Sequence, residues 1–113
     1  MFNPTYANCV AACRACITAC QAWLDRAEAS ARPHGADLCR SSIRLCQLVI
    51  EELKLGSAFS IQVCALGTVI CRACADECAA GHEPGDLDCA TACLRAAEEC
   101  HAVATMSPAR AGV

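Results

Sequence analysis

Aromatic residues, long hydrophobic runs and an excess of positive charge are all missing from this chain. Aromatics make up 4% of its 113 residues, so few large rings are available to fill a core. No segment approaches the roughly 20 apolar residues that a membrane-spanning helix needs. The formal net charge of −3 argues against nucleic acid or an anionic membrane as the main partner. We therefore expect no nucleic-acid and no membrane partner.

Two further patterns are absent. No run alternates between polar and apolar residues with a period of two, so we expect no β-sheet. The N-terminal segment has no basic region, no continuous apolar run and no twin arginine, which are marks of exported proteins. This predicts a cytoplasmic protein. In that reducing compartment, a dense cysteine pattern is more often metal-binding or catalytic than disulfide-bonded.

Cysteine, in contrast, is abundant, with 13 residues of this type. Within each local group they lie three, four or seven residues apart, a spacing that keeps side chains on one face of an α-helix. A disulfide scaffold does not need this period, whereas a helix face that presents thiols does. The candidate metal ligands are Cys9, Cys13, Cys16, Cys20, Cys39, Cys46, Cys64, Cys71, Cys74, Cys78, Cys89, Cys93 and Cys100.

Helix-breaking residues divide the chain into four predicted helices, at about 5–30, 36–55, 58–80 and 86–104. Pro4 suits the first turn of a helix, with Asn3 or Thr5 as its cap. Gly56 suits the end of the second helix. Four helices of similar length with short loops predict an all-α fold, a single up-down-up-down four-helix-bundle domain over 1–113 with a cysteine-lined core.

The sequence also predicts helix caps, the closure of one end of the core and interruptions in the cysteine stripes. Ser57 or Ser60 is expected to cap the third helix, and Asp86 the fourth. Trp23 and Leu24 are expected to close one end of the core. The second cysteine stripe is expected to include Ile43, Ile50 and Leu53. Other residues stand where a stripe of cysteines could continue, which should lower the metal capacity: Trp23, Ala27, Ile50, Gly67 and Ala96.

Apolar residues also fall outside the cysteine stripes. On the backs of the second and third helices they are Leu45, Leu48, Val49, Leu66, Val69 and Ile70. An amphipathic helix buries its apolar face, so apolar residues on the back predict helix–helix contacts between chains. We therefore expect a homo-oligomer.

Several metal and redox chemistries use many cysteines. Disulfides within a helix would be strained, because Cβ atoms at i and i+4 lie roughly 5–6 Å apart, against about 3.8 Å in a disulfide. Cys9, Cys13 and Cys16 match the short motif of radical-SAM enzymes, but the loop motif of ferredoxin-type iron–sulfur sites is absent. Zinc held by four thiolates would leave buried negative charge. Cu(I) favours soft thiolates, and one bridging thiolate per copper leaves a nearly neutral core.

Other function classes stay open. Buried cysteines can be small core residues, and a disulfide between helices remains an alternative. A copper metallochaperone would need one exposed, exchangeable site. A redox enzyme that used the CxxC pairs at 13–16 or 71–74 would need an exposed thiol of low pKa. No acid–base or phosphate-binding constellation is visible, so we expect the chain not to be an enzyme.

Three segments together resemble the cytosolic copper storage proteins, a bacterial family of cysteine-rich four-helix bundles: CVAACRACITAC (9–20), CALGTVICRACADEC (64–78) and CATACLRAAEEC (89–100). The resemblance covers the chain from Cys9 to Cys100. It implies cytosolic storage of many Cu(I) ions by core thiolates, an oligomer that is usually a tetramer, and copper uptake at one open end near histidines. The candidate residues there are His34 and His82, which are predicted in loops at the same end of the bundle.

Overall fold

The computed structural model describes residues 3–26 and 31–106 of the chain. These residues form four α-helices, α1 (Pro4–Leu24), α2 (Pro33–Leu55), α3 (Ser60–Ala79) and α4 (Pro84–Ala104), and contain no strand. Each helix contacts its neighbour in sequence and α4 also contacts α1, which closes a bundle of 45 × 19 × 19 Å. The prediction of an all-α four-helix bundle is confirmed.

The sequence explains where the helices begin and end. Three of them begin with a proline (Pro4, Pro33 and Pro84), a residue whose missing N–H would have no helical partner at this position. The side chain of Asn3 accepts a hydrogen bond from the Thr5 N–H at 2.8 Å and caps α1, as predicted. Gly56 ends α2 in the left-handed conformation, with a φ of 65°, also as predicted.

Two predicted helix boundaries were wrong. Helix α1 ends at Leu24 rather than near 30, although residues 27–30 lie outside the described part of the chain. Helix α2 begins at Pro33 rather than at Ala36, because a proline is tolerated in the first turn. His34 therefore lies in the first helical turn and not in a loop.

The predicted caps of the last two helices also need correction. Phe59 precedes α3, and the hydroxyl of Ser57 accepts the Phe59 N–H at 3.0 Å without capping the helix itself. Glu83 is the N-cap of α4. Asp86 is the third helical residue, and its carboxylate reaches back to accept the Glu83 N–H at 3.0 Å. The carboxylate of Asp86 therefore still bonds the start of α4, but from the first turn of the helix and not from the N-cap position.

The core follows one stripe of residues on each helix, three or four apart. On α2 this stripe passes through Ser42 and Val49, which are fully buried, while Ile43 and Ile50 are only partly buried. The placement of Val49 on the back of the helix was therefore wrong. Gly67 and Ala96 are buried where cysteines could have continued the stripes, as expected, and Ala27 is outside the described residues.

None of the four helices in the described ranges is long and apolar enough to cross a bilayer. The two ends of the bundle can be named by what they carry. The histidine end is formed by the C-termini of α1 and α3 and the N-termini of α2 and α4. The apolar end is formed by the opposite helix termini.

Candidate metal centre

All thirteen predicted ligands lie in the interior of the bundle. None of these thirteen thiols forms a disulfide, and none of the residues exposes more than 1% of its surface. Because the cysteine stripes of all four helices face inward, the sulfurs form one continuous array, which we call the thiol column. Sulfur atoms of facing helices approach closely: Cys20 and Cys93 are 3.5 Å apart, and Cys46 and Cys71 are 3.7 Å apart. These distances are far longer than a disulfide bond of about 2.05 Å.

The half of the column near the histidine end contains the densest sulfur. Two groups of four cysteines share Cys74 and Cys89, and within each group all sulfurs lie within 4.8 Å of one another. All four helices contribute to this six-cysteine cluster, which consists of Cys20, Cys39, Cys74, Cys78, Cys89 and Cys93. Sharing of ligands between adjacent groups is the arrangement that bridging thiolates require.

Toward the apolar end the thiols fall into smaller groups. One triad consists of Cys16, Cys46 and Cys71, and another of Cys9, Cys13 and Cys100. The Cys16 sulfur lies 3.6 Å from that of Cys93, which joins the first triad to the six-cysteine cluster. Cys64 belongs to none of these groups, but its side chain interacts with Cys9 and Cys100.

Contacts between the thiols spread their pKa values apart. Hydrogen bonds from neighbouring thiols, the largest from Cys20, lower the pKa of Cys16. Interaction with Cys13 and other thiols raises the pKa of Cys46, and burial adds to the rise. Hydrogen bonds from neighbouring thiols lower the pKa at four cysteines: Cys9, Cys16, Cys74 and Cys89. A metal that binds in the column must therefore displace protons from the thiols whose pKa is raised.

A hydrogen-bonded set of side chains closes the histidine end. Trp23 is 2% exposed, and its indole N–H donates to the carboxylate of Asp86 at 2.7 Å. Arg32 donates to the same carboxylate oxygen at 2.6 Å and to the carbonyl of Glu77 at 2.6 Å. Its guanidinium lies 5.5 Å from the centre of the Trp23 ring, within range of a cation–π interaction. Trp23 therefore closes one end of the core, as predicted.

The electrostatics of Asp86 depend on this set. Burial raises the pKa of Asp86, but hydrogen bonds from Trp23 and the Glu83 N–H, together with the charge of Arg32, outweigh it and hold the pKa below its ordinary value. Arg32 was not predicted to contribute to this site, and Asp86 was predicted only as a helix cap. The available signal was the phase of Asp86, three residues before Cys89, which places it on the core stripe of α4.

Both candidate histidines are exposed at the histidine end. His82, in the loop between α3 and α4, lines a surface groove of about 310 Å³, and Cys78 forms part of the same lining. His34, in the first turn of α2, is not part of that lining. The groove thus brings one histidine near one buried cysteine of the six-cysteine cluster.

Aliphatic side chains close the apolar end. Val49, Leu53 and Val103 are each at most 1% exposed, and Tyr6 packs in the same core. Gly67 allows this packing, because an added Cβ would lie 3.2 Å from the sulfur of Cys100 and 3.3 Å from a methyl of Val49. The column therefore ends here against these aliphatic side chains.

The fold and the site define a class of protein, a four-helix bundle whose core is an array of reduced thiols suited to soft metal ions. The family model described as copper storage protein matches residues 2–105. The chain belongs to this family, so the predicted family and the predicted function of copper storage are confirmed.

Individual relatives agree with this assignment. A cysteine-rich protein of Bacillus subtilis, YhjQ, which is described as uncharacterized, is 30% identical over 100 residues, covering 85% of this chain and 93% of the relative. The structure of the Cu(I)-bound copper storage protein BsCsp3 superposes with a TM-score of 0.82 at 28% identity, over 89% of this chain and 99% of that one. A Nitrosospira multiformis protein gives a TM-score of 0.81 at 26% identity, over 91% and 97% of the two chains.

Proposed function

We propose that this chain stores many Cu(I) ions along its thiol column, with all thirteen cysteines as ligands. The observation that carries the proposal is the set of buried thiol groups from facing helices, each with sulfurs within 4.8 Å of one another. Metal–thiolate bonds of about 2.3 Å, the length found for zinc, let sulfurs up to about 4.6 Å apart share one ion. The closest sulfurs of facing helices lie well within this limit, at 3.5 Å for Cys20 and Cys93 and 3.7 Å for Cys46 and Cys71. The Cu(I)-bound state of the structurally similar BsCsp3 supports the choice of metal.

The charge of the core favours Cu(I) over zinc. In the described residues the buried polar side chains are Ser42, Ser60, Thr68 and Asp86, so no buried arginine or lysine offsets thiolate charge. Four thiolates around Zn²⁺ leave two negative charges, which are costly to bury without a partner. One bridging thiolate per Cu(I) cancels the charge, and the soft sulfur ligands favour this ion.

Copper reaches the column from the histidine end in this proposal. The groove that His82 and Cys78 line offers a ligand atom at the surface and a thiol of the six-cysteine cluster behind it. His34 lies at the same end, exposed in the first turn of α2. At the opposite end the column is closed by Val49, Leu53 and Val103, whose aliphatic side chains do not bind copper.

The setting that we propose is a single domain over 1–113 in the cytoplasm, without enzymatic activity and assembled as a homotetramer. Exposed apolar residues on the backs of α2 and α3 support assembly: Leu48 is 40% exposed, Leu66 51% and Val69 65%. Burial of such a face in a partner chain removes apolar surface from water. Light scattering at micromolar concentration tests this, and a monomeric mass contradicts it.

Anaerobic Cu(I) titration of the reduced protein, against a competing chelator, tests the storage function. We expect many ions per chain, with a limit of about thirteen if every thiolate bridges. Replacing Cys13, Cys16, Cys71 and Cys74 together with serine should remove about four of them. Circular dichroism of the metal-free variant controls for helix loss. Saturation at one or two ions would indicate a metallochaperone, and zinc that resists Cu(I) would also contradict storage.

A further inference from the structure

Ser42 lies on the same buried face of α2 as two cysteines of the thiol column. It lies on α2 three residues after Cys39 and four before Cys46, so all three share the inward face of the helix. A helix rise of about 1.5 Å per residue places Ser42 roughly 4.5 Å along the axis from Cys39 and 6 Å from Cys46. Cys39 belongs to the six-cysteine cluster and Cys46 to the next triad. Ser42 is therefore where α2 passes from one group of thiols to the next.

The hydroxyl of Ser42 is buried without a hydrogen-bond partner. The residue is 0% exposed, and in the described part of the chain its oxygen is the buried side-chain polar atom that lacks a partner. The other buried hydroxyls behave differently. Thr68 donates to the carbonyl of Cys64, four residues earlier, at 2.8 Å, and Ser60 donates to the carbonyl of Ser57 at 2.9 Å. The ordinary bond of a helical serine back to its own helix is thus not made at Ser42.

An unpaired hydroxyl in a core is expensive, at about 1–3 kcal/mol, and alanine would fill nearly the same space without this cost. A role in the loaded protein explains the hydroxyl. Thiolate sulfur that bridges copper keeps lone pairs that accept hydrogen bonds, and a buried hydroxyl is a donor that a rotation about one side-chain bond can re-aim. Direct Cu–O coordination is the weaker option, because Cu(I) prefers sulfur to oxygen.

We propose that Ser42 is the non-cysteine member of the copper site: its hydroxyl donates a hydrogen bond to a copper-bridging thiolate at the junction of the six-cysteine cluster and the Cys16–Cys46–Cys71 triad. This inference rests on the proposed storage of Cu(I) in the column. It makes Ser42 a positioning residue rather than a primary ligand. Position 42 then sets how tightly part of the copper is held, without changing the number of ions.

Ser42→Ala separates this role from a structural one. Reduced variant and wild type are loaded with Cu(I) without oxygen, and copper removal is followed against increasing chelator. We expect the same number of ions, with part of the copper removed at about threefold to tenfold lower chelator concentration, the effect of losing one hydrogen bond. Without metal, the variant should melt at the same temperature or higher. Ser41→Ala, one residue off the stripe, is the matched control and should behave as wild type.

An unchanged removal profile for Ser42→Ala, or a loss of stability without metal as its main effect, overturns the proposal. Ser42→Cys gives a second reading, since a fourteenth thiol facing the column should add about one ion while Ser41→Cys adds none under the same chelator. If Ser42→Cys adds no ion, position 42 does not face the copper, and the proposal is overturned. Failure of copper storage itself is distinguishable, because the wild type would then saturate at one or two ions.

Discussion

At the histidine end, the thiol column stops against a buried tryptophan held by an arginine and an aspartate, whereas at the apolar end it stops against valine and leucine side chains. Both closures exclude water, but by different chemistry. The apolar end is held by many dispersed contacts between aliphatic side chains. The histidine end is held by a few directional bonds around one carboxylate, and Cys78 lines the groove beside it. A closure of a few bonds can open locally without unfolding the bundle.

The two halves of the thiol column also differ in the size of their cysteine groups. Near the histidine end, two groups of four share ligands, while toward the apolar end the groups have three cysteines and Cys64 stands apart. Shared ligands suit bridged copper clusters, so the half nearest the groove is the one best arranged to take the first ions. We infer a directional loading of the column, from the dense half to the sparse half.

The largest expected effect comes from removing the side chain that closes one end of the column, first at one end and then at the other. Trp23→Ala and Leu53→Ala each delete a large buried side chain, and each should lower the free energy of unfolding of the metal-free protein by roughly 2–5 kcal/mol. Only Trp23→Ala opens the histidine end, so only this variant should take up Cu(I) faster from a chelator. Stopped-flow absorbance of the copper–thiolate band measures the rate. Equal acceleration by Leu53→Ala would show that copper does not prefer the histidine end.

A smaller effect comes from the carboxylate that holds the histidine end. Asp86→Asn keeps the shape but removes the charge that Arg32 pairs with, so we expect a loss of about 1–3 kcal/mol at pH 7 in the metal-free protein. Because the folded-state pKa of Asp86 is below its ordinary value, ionised Asp86 stabilises the fold above the unfolded pKa, and this contribution is lost as pH falls through the folded pKa. The difference between wild type and variant should therefore shrink below a pH of about 4.

Denaturant unfolding at a series of pH values measures that difference. Asp37→Asn is the control, because the carboxylate of Asp37 pairs with Arg40 on the surface, where its side chain is 78% exposed. Such exposed pairs contribute little, so this variant should remain close to wild type at every pH. A gap between Asp86→Asn and wild type that stays constant down to pH 3 would contradict the assignment of the charge.

Much of this architecture could be predicted from the sequence, because a three-and-four spacing of cysteines fixes both the helix and the face that turns inward. The boundaries were less certain, since proline is compatible with a first helical turn as well as with a loop, and α2 uses Pro33 in the first way. Val49 was misplaced because α2 carries two adjacent apolar stripes, and only packing decides which one faces the core. Ser42 was missed for a different reason, since serine in a helix usually indicates a solvent-facing position.

The Trp23–Asp86–Arg32 contacts could not be predicted from local pattern. They join residues 63 and 54 positions apart along the chain, and only the meeting of helix ends brings them together. The phase of Asp86 relative to Cys89 indicates an inward position, but a buried carboxylate is assigned a partner only when the other helices are in place.

The smallest expected effect concerns the histidines, and it sharpens the comparison most directly. His82→Ala removes an imidazole from the groove beside Cys78 and leaves the thiol column intact, so the number of Cu(I) ions bound should not change. Imidazole is a metal ligand, and its loss should slow uptake from a chelator severalfold at most. His101→Ala is the matched control, because His101 is also exposed but lies in the last turn of α4, at the apolar end. If both variants slow uptake equally, or if neither does, His82 has no part in uptake and the groove is a surface feature only.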